Sequence, residues 1–234
     1  MNVTFRTRIS LMLALSSLAV IAAAPAYGQT SYAESLGAAI RDWQANLASG
    51  AEVQTGIASR FEEIAADHPS GWEASFWASH AITQIPGHEG ESAADHFGRA
   101  QRYLDEAIAR YPDAPDKVVS EFHMLQSLIH SNHGFAADEE DQPALYQASG
   151  ESQDLAEQAN PDNPRAWMFR GFDLIRRGED DAGRIMLTKA LGKWDAYPPE
   201  NELAPNWGKQ WIDFWMGGAE KRERRELPPR DGQS

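Results

Sequence analysis

None of the 234 residues is a cysteine. Disulfides, thiolate catalysis, cysteine-based zinc sites and a lipid-modified cysteine are therefore excluded. Strand signals are missing as well. There is no sustained apolar–polar alternation, and no Asn-Gly or Asp-Gly turn sits between β-branched runs. The chain carries no Gly-x-Ser-x-Gly elbow, no phosphate loop and no Gly-x-Gly-x-x-Gly turn. Positive charge is scarce: 21 lysines and arginines stand against 35 acids, for a net charge of −14. Such a balance disfavours nucleic acid and anionic lipid, whose binding needs basic side chains. It favours solubility.

Long apolar runs are limited to one place. Met1 to Arg8 carries Arg6 and Arg8 and no acid, Ile9 to Ala24 is almost wholly apolar, and small residues follow. This order predicts a secretory signal over residues 1–26, with cleavage as late as residue 28 as the alternative. A retained membrane anchor is the competing reading, and the run is near the short limit for a span. The expected location is a periplasm or the outside of the cell. No membrane association is expected after cleavage.

The rest of the chain has helical period. Leu36, Ile40, Trp43 and Leu47 share a face, as do Val53, Ile57, Phe61 and Ile64. Trp72, Phe76 and Trp77 lead a third helix. Phe97, Ala100, Leu104 and Ala107 mark a fourth, and Val118, Phe122, Leu125 and Ile129 a fifth that Asn132 and Gly134 should stop. Residues 136–143 read as an acidic loop. A helix within 144–159 follows, then two clearer ones over 164–177 and 179–194. A last helix carries Trp207, Trp211, Phe214 and Trp215, a stripe that should cap the final hairpin. Residues 30–220 thus form one helical domain, and 221–234, nearly devoid of apolar side chains, should be a disordered tail.

From Asn160 to Ala190 the residues become recognisable. Pro161 precedes Trp167 by six; Gly171, Gly178, Gly183, Leu187 and Ala190 follow in order. This resembles the tetratricopeptide repeat of about 34 residues. In more scattered fashion, residues 40–211 resemble exported bacterial tetratricopeptide-like proteins. The resemblance implies an all-α fold, a right-handed superhelix of about eight or nine stacked antiparallel helices. Small residues at 171, 183 and 190 would let two helices close up, Trp167 and Leu187 would fill the space beside them, and Gly178 would make the turn. Arg170 departs from the pattern, standing where an apolar residue is usual.

Three kinds of chemistry remain open. Arg165 and Arg170 are candidate partner-binding residues, able to clamp a carboxylate from a groove; Arg170 could equally pair with Asp173 or Glu179. His123 and His130 fall about 20° apart on a helix, with His133 one turn on, a trio that could take zinc or copper. Eight tryptophans serve as core wedges or line a peptide groove. The leading expectation is a non-catalytic exported protein that binds a protein or peptide in a helical groove and needs no cofactor. The alternatives are a metal- or small-ligand-binding exported protein, and a hydrolase of unrecognised type.

Overall fold

The computed structural model describes residues 31–47 and 51–216; the expected signal segment and the tail lie outside them. Among the described residues the fold is all-helical, with no strand. Eight helices follow in order: α1 (Tyr32–Ala45), α2 (Ala51–Asp67), α3 (Trp72–Gln84), α4 (Ala93–Arg110), α5 (Asp116–Ala136), α6 (Gln142–Ala159), α7 (Pro164–Arg176) and α8 (Asp180–Trp194). A short ninth, α9, covers 209–216.

Local chemistry sets the helix ends. Ser31 and Glu34 form a reciprocal capping box at α1, and Ser92 caps α4 through the Asp95 amide at 3.0 Å. Asn163 caps α7 by accepting from the Arg165 amide at 3.0 Å, with Pro164 at the first helical position. Gly178 ends that helix at φ 83°, a left-handed geometry that side-chain-bearing residues resist. Residue 150 does not break α6, and α5 runs through Asn132 and Gly134 to Ala136. The early stop expected for α5 fails because position 134 needs no side chain. A Cβ there would lie 2.9 Å from the Tyr146 ring, so glycine lets α6 close onto α5.

Neighbouring helices stack in pairs in a solenoid-like arrangement: α1 on α2, α3 on α4, α5 on α6 and α7 on α8, with α3 also touching α5. The α7/α8 seam is the tightest. At Gly171 an added Cβ would lie 2.7 Å from Leu187 Cδ2; at Gly183 it would lie 2.4 Å from Ile175 Cγ1 and 2.9 Å from the Gly171 carbonyl. Ala190 and Leu187 are fully buried in the same seam. Trp167 is half-buried, its indole N–H reaching the Pro161 carbonyl at 3.3 Å, with the ammonium groups of Lys189 and Lys193 about 5–6 Å from its ring.

One feature departs from a simple stack. After α8 the chain turns back across the side presented by α1, α3, α5 and α7. Tyr197 donates to the Lys117 carbonyl at 3.3 Å, Trp77 Nε1 donates to the Leu203 carbonyl at 2.9 Å, and Gln44 donates to the Asn206 carbonyl at 3.3 Å. Trp207 packs on Phe169 of α7, and Trp215 stacks on Phe172 at 4.9 Å. Trp207 precedes α9 rather than lying within it, and the expected cap on the last hairpin is instead a cover over the middle of the stack. Helix α3 is consequently buried from Trp72 to Thr83, Glu73 excepted.

Candidate ligand-binding groove

Under the returning segment lies a charged core. Arg165 is 1 % exposed, and its Nη1 donates to Glu121 Oε1 at 2.8 Å. Asn163 donates to the same oxygen at 3.1 Å and to Ser120 Oγ at 2.9 Å, so one side chain caps α7 and supports the ion pair. The guanidinium is flanked by the rings of Trp194 and Trp207, at 5.1 and 4.9 Å. Burial pushes the Glu121 carboxyl up, and the Arg165 charge opposes it. Tyr197, beside that carboxylate, is pushed up as well by burial and by Glu121. Arg165, a candidate for meeting a partner's carboxylate, thus has its charge answered by Glu121 inside the protein. Arg170 pairs with Asp154 and Glu157 of α6 rather than with Asp173 or Glu179.

The histidine trio is dispersed in role. His123 is half-buried, and burial lowers its pKa. His130 Nε2 lies 2.9 Å from Gln126 Nε2, and His133 stacks on Phe97 at 5.2 Å. Among the described residues, no group of three or more histidine or carboxylate side chains is arranged to hold a metal ion.

The open concavity lies elsewhere, where α5, α6 and α7 meet α9. It consists of two adjoining cavities of about 290 and 490 Å³ that share Phe135 and Arg176. The smaller is walled by Leu128 and Phe135 of α5, Phe169 and Phe172 of α7, and Trp211, Phe214 and Trp215 of α9. Tyr146, Ser149, Asp173 and Arg177 complete the larger. Aromatic contacts tie the walls together. Phe135 meets Tyr146 edge-on at 5.9 Å, and Phe169 lies 5.9 Å from Phe172. Arg176 sits at the junction, 5.3 Å from the Phe135 ring and 5.8 Å from Tyr146, with Asp173 as its ionic partner.

Two rings at this groove are conspicuously wet: Phe214 is 78 % exposed and Phe135 62 %. Rings that size normally bury themselves, and an exposed apolar cluster marks a binding surface. Chemically, the groove offers flat aromatic walls beside Arg176, which is paired with Asp173, and Arg177, a setting suited to a planar apolar ligand with an acidic substituent. Of the groove residues, sequence reasoning had marked only the α9 aromatics. Phe135 was hidden by the early stop expected for α5, and Phe169, Phe172 and Arg176 stood in a helix read for its repeat signature.

No family profile matches the chain, and no curated protein sequence matches it. A solved structure does: the HusA haemophore from Porphyromonas gingivalis, with a TM-score of 0.67 and 24 % identity, covering 87 % of this chain and all of that one. At that identity the likeness is one of fold.

Proposed function

We propose that this chain is an exported, non-catalytic binding protein whose groove takes a planar, carboxylate-bearing aromatic ligand of the haem type. The observation that carries the reading is the groove itself, with rings from α5, α6, α7 and α9, two of them exposed, converging around Arg176. Stacking on those rings would hold the flat macrocycle, and Arg176 with its neighbour Arg177 would meet its acidic groups. Support comes from the fold shared with a haemophore. Export rests on the signal-like residues 1–26; no described helix is long and apolar enough to cross a membrane. The tetratricopeptide-like reading of residues 161–190 enters as the scaffold that holds the walls in place. A peptide in the same groove is the weaker reading, because the smaller cavity is walled mostly by flat rings.

The test is absorbance titration with haemin, together with quenching of tryptophan emission. Saturable one-to-one binding at micromolar concentration or below is expected. The double substitution Phe135→Ala/Phe214→Ala, at exposed positions, should weaken it at least tenfold, and Arg176→Ala several-fold. Linear, non-saturating uptake, or equal affinity in all variants, would remove the proposal.

A further inference from the structure

A second cavity, separate from the groove, carries an unanswered polar group. It has about 300 Å³ and lies between α1, α3 and the returning segment. Trp43, Trp77 and Trp207 wall it, His80 forms its inner end, and Gln44, Asn206 and Gln210 surround its mouth. His80 is 1 % exposed, yet neither ring nitrogen has a hydrogen-bond partner. The ring is boxed by indoles: Trp77 edge-on at 5.4 Å, Trp43 edge-on at 6.2 Å, Trp207 tilted at 5.0 Å and Trp211 parallel at 6.4 Å. The Trp43 indole N–H is buried and unpartnered too. Buried donors and acceptors left unmade cost stability, and native proteins keep them for a reason.

The chemistry of the site limits its occupant. Burial, with Arg165 nearby, holds the His80 pKa down to about 3, so the imidazole is neutral and offers one N–H and one lone pair. No charged side chain lines the cavity. Arg165, the charged group that acts on His80, is itself paired with Glu121 at 2.8 Å. Three indole walls favour a flat ring. The amides of Gln44, Asn206 and Gln210 supply further donors and acceptors at the entrance.

The geometry points to a second binding site at His80, for a small, planar, uncharged heterocycle that carries a hydrogen-bond donor and an acceptor, either of which can meet one imidazole nitrogen, as a lactam or ring amide does. The His80 nitrogens are buried, so the occupant must displace part of the indole box, of which Trp207 is the nearest ring, to reach them. Binding at this site therefore registers on Trp207, which also flanks the Arg165 guanidinium. The site does not depend on the haem-type reading of the groove.

Uracil is a suitable probe, with 1,3-dimethyluracil (same ring, no N–H) and benzoate (flat, charged) as comparators. The measurement follows the indole N–H signals of Trp43 and Trp207 and the ring nitrogens of His80 by NMR in the full chain. A saturable shift with uracil at millimolar concentration or below is expected, at least tenfold weaker for both comparators. His80→Phe, which fills the box without polar atoms, and Gln210→Leu, at an exposed position, should each weaken uracil at least fivefold. A uracil-soaked crystal should show the ring against His80. No saturable shift, equal response to 1,3-dimethyluracil, unaltered affinity in both variants, or a crystal with only water on the His80 nitrogens would each overturn the site. Haemin titration of His80→Phe keeps the two readings apart: loss of uracil binding with haemin binding retained confirms that they are distinct.

Discussion

The α7/α8 seam and the centre beneath the returning segment solve opposite packing problems. In the seam, two backbones come close because Gly171 and Gly183 have no side chain, and nearly everything between them is apolar. In the centre, tryptophan rings enclose a paired carboxylate and guanidinium, a capping asparagine and a neutral histidine. The seam depends on space. The centre depends on its ion pair, because a buried charge stripped of its partner in a low-dielectric interior is costly. A stack built only of seams would leave one side of α3 and α7 open; the centre exists because the chain returns to close it.

The contrast can be broken from either side. Arg165→Met should have the largest effect, about 3–5 kcal/mol of lost stability, because it strands a buried carboxylate at Glu121. Adding Glu121→Leu should recover much of that loss, which denaturant unfolding of the single and double variants would show. A full loss that persists in the double variant would mean the indole packing, not the charge, dominates.

The next effect is pH-dependent. His80 has a folded pKa of about 3 against an ordinary 6.5. The unfolded chain therefore binds a proton that the folded chain refuses, and stability falls as pH drops below about 6.5. The slope approaches about 1.4 kcal/mol per pH unit until the folded value is reached. His80→Phe should lack this component. The difference in stability between wild type and variant, measured from pH 7 to pH 4.5, should therefore shift in the variant's favour by about 2–3 kcal/mol.

Smaller effects belong to the seam. Gly183→Ala should cost about 1–3 kcal/mol despite alanine's better helix propensity, since the new methyl meets Ile175 and the Gly171 carbonyl. Gly98→Ala, in α4, is the control. No heavy atom lies within 4 Å of its Cβ position, and about 0.5–1 kcal/mol of stabilisation should appear as a raised thermal midpoint.

The two regions were unequally legible in the sequence. The seam announces itself through spacing: Trp167, Gly171, Gly178, Gly183, Leu187 and Ala190 lie within 24 residues, and local periodicity is enough to pair the helices. The all-α class and most helix ranges follow from the same periodicity. The centre is built from positions far apart in the chain. Glu121 sits beside Phe122 and reads as an ordinary polar face until α7 brings Arg165 against it, 44 residues later. Arg165 was singled out but assigned to a partner, because an arginine's counter-charge carries no local signature. His80 left no clear trace: it falls seven residues after Glu73, on the same helical face, and reads as an ordinary polar position. The groove was the least visible. Three of its walls come from two hairpins, α5/α6 and α7/α8, and the fourth from a segment whose return path no periodicity encodes.

That return path has a kinetic cost. Repeat stacks ordinarily assemble from near neighbours and can begin anywhere along the chain. Here the Trp77–Leu203 bond joins residues 126 apart, and Gln44–Asn206 joins residues 162 apart. Contacts of such range slow folding. During synthesis the hairpins emerge in order, but the aromatic flank of α3 stays bare until residues 203–211 have been made. A nascent chain stalled before that point would present several indole rings to water, and would be the species most prone to aggregate.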